Sequence, residues 1–276
     1  MIKRDGVKLM NARTNNVSIA KETLAILKQK YYNSPNGNKI NISEALDAAV
    51  KGSVLYQNEI SFVENESVKL PLIEVTPETT AQAAQRLLCI HKDVVVLNFA
   101  SARNPGGGFL SGAIAQEEDL CRCSGLYSCL KSKPIFYNEN ILCDNTYYTD
   151  NIIYSPNVPF FRSEHFLFLE NPFCVSVITA PAPNIRGMNN IDEKQLFDVL
   201  SNRISKILKI AAYHNHKNII LGAFGCGAFG NDPLMVAHIF LNSLKMFNYF
   251  GNVCFAIYSN KGDLTNLNAF KKIFDK

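Results

Sequence analysis

From Leu72 onward, the chain alternates short apolar runs rich in β-branched residues with longer segments of helical periodicity. Nearly continuous apolar runs are typical of strands covered on both faces, and their alternation with helices is the signature of a layered α/β fold. We therefore predict a mainly parallel sheet with helices packed against it. The predicted strands are residues 72–75, 94–99, 174–178, 219–221 and 253–257.

Capping residues predict where the helices of this domain begin. Pro is favoured at the first helical position, and Asp, Ser and Thr are favoured just before it. Helices are therefore predicted to start at Thr76-Pro77, at Asp192 and at Asp232-Pro233.

The first 70 residues do not follow the strand and helix alternation. Ser18 is the candidate N-cap of a helix over residues 19–27, and a polar loop is predicted at residues 33–38. We predict an N-terminal helical extension, residues 1–70, packed on an α/β core, residues 71–276.

Charge and composition limit the partners of the protein. The chain carries 28 Lys and Arg against 24 Asp and Glu, a formal net charge of +4, without a long basic run. Duplex nucleic acid is therefore not an expected partner, whereas an anionic small ligand is compatible with this charge. No apolar stretch approaches the roughly 20 residues of a membrane span, and the start of the chain lacks a signal-peptide core. We expect a cytoplasmic protein that does not bind membranes.

The cysteines and histidines do not form a metal-site pattern. Cys121, Cys123 and Cys129 lack the two closely spaced pairs of a structural zinc site. Scattered cysteines within apolar runs are typical of small buried side chains, so we expect reduced thiols and no metal. His214 and His216 are expected at a solvated end of a helix.

Three predicted strands run directly into loops of unusual composition. These loops, residues 98–108, 180–184 and 222–230, are rich in Gly, Pro or Asn. The carboxyl ends of parallel strands lie at one edge of a sheet, and ligands bind in the crevice there. The three loops are therefore predicted to form one pocket.

The last of these loops contains GxGxxG at residues 225–230, between a predicted strand and a predicted helix. One interpretation is a nicotinamide-nucleotide site. However, the following strand lacks a terminal acidic residue that would hold a ribose, and the loop lies in the last βα unit. A diphosphate cradle fits better, and a Gly-rich packing turn is the structural alternative. Phe224 is expected in the core and Phe229 beside the ligand.

The first loop leads into a candidate acid–base pair. Glycines at 106–108 allow the main chain to approach a ligand closely, and Gln-Glu-Glu follows at 116–118. Adjacent helical side chains point about 100° apart, so one glutamate is expected to transfer protons while the other binds ligand hydroxyls or orients its neighbour. Alternatively, acidic residues in a first helical turn are surface residues stabilised by the helix dipole.

Taken together, these features resemble the signature of poly(ADP-ribose) glycohydrolases, which are built on the macrodomain fold. The glycines at 106–108 and the triplet at 116–118 carry the resemblance. It covers most of the chain, and the branch that the chain resembles is the compact microbial one. It implies a macrodomain-like three-layer α/β/α fold with a mixed, largely parallel sheet. Other matching segments are residues 20–24, 98–109, 155–159, 180–184 and 222–230.

The resemblance implies hydrolysis of ribose–ribose O-glycosidic bonds in poly(ADP-ribose) or ADP-ribosylated proteins, with release of ADP-ribose and without metal or cofactor. We expect a monomer. Glu118 would protonate the leaving ribose oxygen and then take a proton from water. Glu117 and Gln116 would hold the ribose or the active-site loop. Further implied ADP-ribose contacts are Gly107, Gly108, Ser101, Asn104, Gly225, Cys226, Gly227, Ala228 and Phe229, with Ser101 standing where macrodomains often have Asn.

Other functions share parts of this pattern. A non-catalytic macrodomain would bind ADP-ribose without needing the glutamates, and a mono-ADP-ribosyl hydrolase would use the same pocket with another leaving group. A NAD-dependent oxidoreductase would use the GxGxxG loop and show hydride transfer. If residues 263–276 or another loop cap the distal ribose, we expect release of ADP-ribose from chain ends.

Overall fold

The computed structural model of the protein describes residues 2–61, 70–259 and 262–275. Its helices are α1 (Ile2–Gln29), α2 (Ser43–Gly52), α3 (Thr80–Leu88), α4 (Gln116–Cys123), α5 (Leu126–Lys131), α6 (Pro134–Leu142), α7 (Glu193–Tyr213), α8 (Pro233–Met246) and α9 (Thr265–Phe274). Its strands are β1 (Tyr31–Asn33), β2 (Lys39–Asn41), β3 (Val54–Tyr56), β4 (Leu72–Thr76), β5 (Val94–Ala100), β6 (Ile152–Arg162), β7 (Phe168–Pro181), β8 (Asn218–Leu221) and β9 (Asn252–Ala256).

In the described part of the chain, the central sheet has seven strands in the order β3-β6-β7-β5-β8-β9-β4. The five strands from β7 to β4 are parallel, while β6 and β3 continue the sheet in antiparallel pairing. The predicted mixed, largely parallel sheet is therefore confirmed. The carboxyl ends of β5, β7 and β8 lie at one edge, as the three-loop interpretation requires.

Apolar side chains cover both faces of this sheet. Along β5, Val95 and Leu97 belong to the core shared with α7, α8 and α9, whereas Val94 and Val96 belong to the core shared with α3, α4 and α5. This alternation follows from the two-residue period of a strand. Helices on both faces give the predicted three-layer architecture.

Two predicted helix starts are confirmed by capping hydrogen bonds. The carboxylate of Asp192 accepts from the backbone N–H of Gln195, and that of Asp232 accepts from Leu234. The start predicted at Thr76-Pro77 is wrong, because β4 continues through Thr76 and α3 begins only after Thr79. Thr79 and Gln82 there form a reciprocal capping box.

The N-terminal segment is more regular than the sequence pattern indicated. Ser18 does not cap a helix, because it lies inside α1, which begins at Ile2. The predicted loop at 33–38 is the turn of the hairpin formed by β1 and β2. From the same segment, β3 pairs with β6 at the edge of the central sheet. The division at residue 70 stays a prediction.

All eight cysteines are free thiols, of which Cys121, Cys123, Cys129 and Cys254 are buried. None of the described helices is both long enough and apolar enough to cross a membrane.

Candidate functional site

The candidate site lies at the carboxyl ends of β5, β7 and β8, beside the first turn of α4. Ala115 precedes α4 in an extended conformation, and the helix opens with Gln116, Glu117 and Glu118. The side chains of both glutamates are buried, with only 3% of Glu117 and 8% of Glu118 exposed. The interpretation of these residues as ordinary surface carboxylates is therefore wrong.

The glycine loop holds one oxygen of Glu118. The backbone N–H of Gly108 donates to Glu118 Oε1 at 2.7 Å. A Cβ on Gly107 would lie 2.4 Å from the same oxygen, and Gly107 has a φ of +57°. Both observations require glycine at 107, because a side chain would displace the carboxylate and because a positive φ disfavours other residues. Glu118 Oε2 has no hydrogen-bond partner among the described residues.

Both carboxylate oxygens of Glu117 are engaged. Oε2 accepts from the backbone N–H of Ser101 at 2.7 Å, and Oε1 accepts from Asn98 Nδ2 at 3.3 Å. Burial raises the pKa of Glu117 to about 8, the hydrogen bond from Ser101 opposes the rise, and the negative charge of Glu118 adds to it. The site therefore contains one fully bonded carboxyl group next to one with a free oxygen.

Gln116 ties α4 to the central strand. Its Oε1 accepts from the backbone N–H of Phe99 at 2.8 Å, and its Nε2 donates to Leu97 O at 2.7 Å and to Thr80 Oγ1 at 3.0 Å. These bonds fix the start of the helix against the end of β5. They engage the amide with protein groups, and a contact from Gln116 to a ribose stays a prediction.

The loop after β5 is arranged around Ser101. Its Oγ accepts from the backbone N–H groups of Arg103 at 3.3 Å and Asn104 at 3.2 Å. Asn104 O then accepts from the N–H of Gly107 at 2.9 Å. Ser101 is half-buried and its backbone N–H bonds Glu117, whereas Asn104 is exposed. Their contacts to a distal ribose stay a prediction.

The glycine loop after β8 presents unused backbone donors. The N–H groups of Gly227, Ala228 and Phe229 have no acceptor among the described residues, and Gly227 and Ala228 are exposed. Gly225 has a φ of +75°, and a Cβ there would lie 2.5 Å from Asn231 Nδ2. Successive free N–H groups form a favourable site for an anion.

Neighbouring side chains fix the shape of this second loop. Asn231 Nδ2 donates to Pro183 O at 2.8 Å and to Gly225 O at 3.1 Å, which joins two of the three loops. Cys226 and Phe229 are both half-buried, and the ring of Phe229 lies 6.4 Å from the ring of Tyr148. Phe224 is fully buried, as predicted.

A buried network anchors the end of α4 to α1. Arg162 Nη1 donates to Thr23 Oγ1 at 2.6 Å and to Arg122 O at 2.8 Å, and its Nη2 donates to Glu22 Oε2 at 2.7 Å. Arg122 donates to Asp119 and to the backbone oxygen of Ala113. Both arginines are fully buried. The segment at 20–24 therefore supports the helix that carries the glutamates.

Sequence reasoning did not identify several side chains around the candidate site. Asn98 is fully buried and bonds Glu117, and its Oδ1 has no partner among the described residues. Asn231 also has an unpartnered buried Oδ1. Asn98 interrupts an otherwise apolar strand, and that interruption was a usable signal. Tyr148 and Asn231 gave none, because their positions depend on long-range packing.

The stability of the wild type should fall as the pH rises, and we expect Glu117→Gln to abolish this fall. Because the pKa of Glu117 is raised on folding, to about 8, the folded protein keeps a proton that the unfolded chain loses near pH 4.5. The resulting stabilisation is complete below the pKa of Glu117 in the unfolded chain and is lost as the pH rises through its pKa in the folded protein. Between pH 6.5 and pH 8.5, the wild type should lose about 2 kcal/mol of stability relative to the variant. Urea unfolding across this range measures the difference.

Glu44→Gln is the matched control for this experiment. Glu44 lies exposed in the first turn of α2, so its removal changes the net charge without changing a buried carboxyl group. We expect its stability difference from wild type to stay constant with pH. A constant difference for Glu117→Gln as well would contradict the raised pKa of Glu117.

Comparisons with known proteins agree with one another. The model of the family "Microbial-type PARG, catalytic domain" matches residues 20–163. The crystal structure of poly(ADP-ribose) glycohydrolase from Thermomonospora curvata is 39% identical, with a TM-score of 0.89 over 95% of this chain and 100% of that one. The same enzyme bound to the inhibitor ADP-HPD is 40% identical, with a TM-score of 0.87 over 94% of this chain and 99% of that one.

A second organism provides a similar structure. The poly(ADP-ribose) glycohydrolase of Deinococcus radiodurans in complex with ADP-ribose is 37% identical, with a TM-score of 0.74 over 83% of this chain and 96% of that one. No curated protein sequence shows a significant match to the chain.

Proposed function

Because the chain belongs to the microbial-type poly(ADP-ribose) glycohydrolase family, we propose that Glu118 is the general acid and base of its reaction. The protein is a glycosidase that hydrolyses the ribose–ribose bonds of poly(ADP-ribose). One observation carries the assignment of Glu118. Its Oε2 is free among the described residues, whereas both oxygens of Glu117 accept hydrogen bonds.

The proposed reaction begins with a proton on Glu118 Oε2. As the glycosidic C–O bond breaks, this proton passes to the leaving ribose oxygen, and positive charge develops on the ring of the retained unit. Water then attacks the anomeric carbon, and the Glu118 carboxylate takes the proton that the water loses. The products are ADP-ribose and a polymer shortened by one unit, and Glu118 regains its starting state.

The remaining side chains and backbone groups serve as the ADP-ribose site in this proposal. The free N–H groups of Gly227, Ala228 and Phe229 support a role for residues 225–229, including Gly225 and Cys226, as the diphosphate cradle. Phe229 would cover a ribose or the base.

The glycine triplet and the Ser101 loop would contact the distal ribose. The N–H groups of Gly107 and Gly108 are bonded to Asn104 O and to Glu118, so these glycines would contribute close approach of the main chain rather than free donors. Ser101 and Asn104 would bind ribose hydroxyls. Glu117 and Gln116 would orient the loop through bonds to Ser101 and β5.

Family membership separates the competing interpretations. The ADP-HPD and ADP-ribose complexes of the similar enzymes support binding of ADP-ribose by this chain. A reader module and a NAD-dependent oxidoreductase gain no support from the same comparisons. Action on ADP-ribosylated proteins, a cytoplasmic location and a monomeric state are further proposals from the sequence.

Hydrolysis in ¹⁸O-labelled water tests the reaction directly. Purified protein is incubated with poly(ADP-ribose), and released ADP-ribose is analysed by mass spectrometry. We expect rapid release, with one ¹⁸O in the anomeric hydroxyl, because water attacks the carbon and the polymer keeps the bridging oxygen. Binding of ADP-ribose without release would contradict the proposal, as would unlabelled product after correction for exchange in free ADP-ribose.

A further inference from the structure

The proposed function assigns no binding site to the unit of the polymer that leaves when the glycosidic bond breaks. The leaving ribose carries an adenine on one carbon and a diphosphate on another, so a bulky anionic unit must lie next to the free oxygen of Glu118. The residues proposed above as the ADP-ribose site would hold only the retained unit. The leaving unit must therefore be held by groups on the surface on the other side of the glycine triplet.

Arg13 lies on that surface. It is exposed on α1, and its Nε donates to Ser111 O at 2.9 Å. Among the described side chains it forms no ion pair, and neither Nη has a hydrogen-bond partner. The guanidinium is therefore oriented by one bond and keeps both outer nitrogens for a ligand. Such a planar group suits phosphate oxygens.

Hydrogen bonds through Ser111 and Gly108 connect Arg13 to Glu118, the proposed general acid. Ser111 O accepts from Arg13, Gly108 O accepts from Ser111 N at 3.0 Å, and Gly108 N donates to Glu118. Helix α1 also packs tightly here, because a Cβ on Gly112 would lie 2.5 Å from Arg13 O. Arg13 is therefore linked to Glu118 through Ser111 and Gly108.

Exposed apolar side chains flank the same segment. Leu110 is 49% exposed and Ile114 is 48% exposed, on either side of Ser111. Large apolar groups beside a charged arginine match a ligand that combines an aromatic base with a diphosphate. This complementarity selects the leaving unit of the polymer as the occupant.

We propose that Arg13, Leu110 and Ile114 form a subsite for the leaving ADP-ribose unit, an inference that rests on the proposed role of Glu118. Arg13 binds the diphosphate of that unit, and the two apolar side chains contact its adenine. Arg13 lies before residue 20, where the match to the family model begins.

Two substrates with different leaving groups test the subsite. One is poly(ADP-ribose), and the other is the propyl glycoside of ADP-ribose, whose leaving alcohol has neither phosphate nor base. For Arg13→Ala we expect kcat/KM on the polymer to fall about tenfold, as for the loss of a hydrogen-bonded charge, and kcat/KM on the propyl glycoside to stay unchanged. The kcat/KM of Arg13→Ala on the polymer should also fall less with rising salt concentration than that of the wild type. Replacing Leu110 and Ile114 by Ser should likewise affect only the polymer.

Lys28→Ala is the matched control, because Lys28 is an exposed basic residue in the last turn of the same helix. We expect it to leave both substrates unaffected. Equal losses on both substrates for Arg13→Ala would overturn the proposal, since Arg13 would then only support the loop, and so would no loss on the polymer. If Glu118→Gln hydrolysed the propyl glycoside normally, the role of Glu118 would fail, and with it the placement of the leaving unit.

Discussion

Replacing Glu118 by Gln should lower release of ADP-ribose from poly(ADP-ribose) by about a thousandfold, the range expected for loss of a general acid. Gln can still accept the hydrogen bond from Gly108 N through its amide oxygen, so the loop should keep its shape. The amide nitrogen cannot deliver a proton to the leaving oxygen or accept one from water. Affinity for ADP-ribose should change less than threefold. Single-turnover kinetics and calorimetric titration measure the two effects.

A substrate with a good leaving group separates chemistry from misfolding. On the 4-nitrophenyl glycoside of ADP-ribose, nitrophenolate departs without a proton, so Glu118→Gln should lose much less activity than on the polymer. Glu117→Gln is the matched variant, since it removes the adjacent buried carboxylate and keeps Glu118. Equal losses on both substrates for Glu118→Gln would assign a structural role to this residue. Full activity on the polymer would exclude it from the mechanism.

Replacing Gly107 by Ala should lower kcat at least a hundredfold, as expected for misplacement of a catalytic group. The new Cβ would lie 2.4 Å from Glu118 Oε1 and 3.0 Å from Glu117 Oε2, so the loop or both carboxylates must move. A φ of +57° adds strain of about 1–3 kcal/mol for a residue other than glycine. Steady-state kinetics and thermal unfolding of the variant measure both effects.

Gly37→Ala provides the control for backbone strain. Gly37 has a φ of +81° in the turn between β1 and β2, and a Cβ there would meet no atom within 4 Å. We expect a similar loss of stability with normal activity. If the two variants had equal activity, contact with the glutamates would not explain the effect at Gly107.

Local signals in the sequence were enough for much of the fold. Asp192 and Asp232 marked helix starts because a cap is a contact between residues two or three apart. The buried parallel strands were also predictable, since both faces are apolar. In contrast, β6 contains Pro156 and Pro159, which disfavour a central strand, and the sheet accommodates Pro156 through a register shift between Ser155 and Val158.

Long-range contacts account for what was not predicted around the site. His216 was expected to be solvated, but it is buried, with Tyr154 Oη 2.8 Å from its Nε2, and burial lowers its pKa. The burial of Arg122 and Arg162 was not predictable, because charged residues are usually exposed. The partners of Arg162 come from α1 and α4, which no local pattern relates to β6.

The network around Arg162 also has a consequence for how the protein reaches its active form. Arg162 bonds Thr23 and Glu22, which lie 139 and 140 positions earlier in the chain, and Arg122, which lies 40 positions earlier. Contacts of such separation form only after long loops have closed, which slows folding. Glu118 is therefore held in place only when distant parts of the polypeptide have met. Catalytic activity should be among the last native properties to return after dilution from denaturant, later than helical circular dichroism.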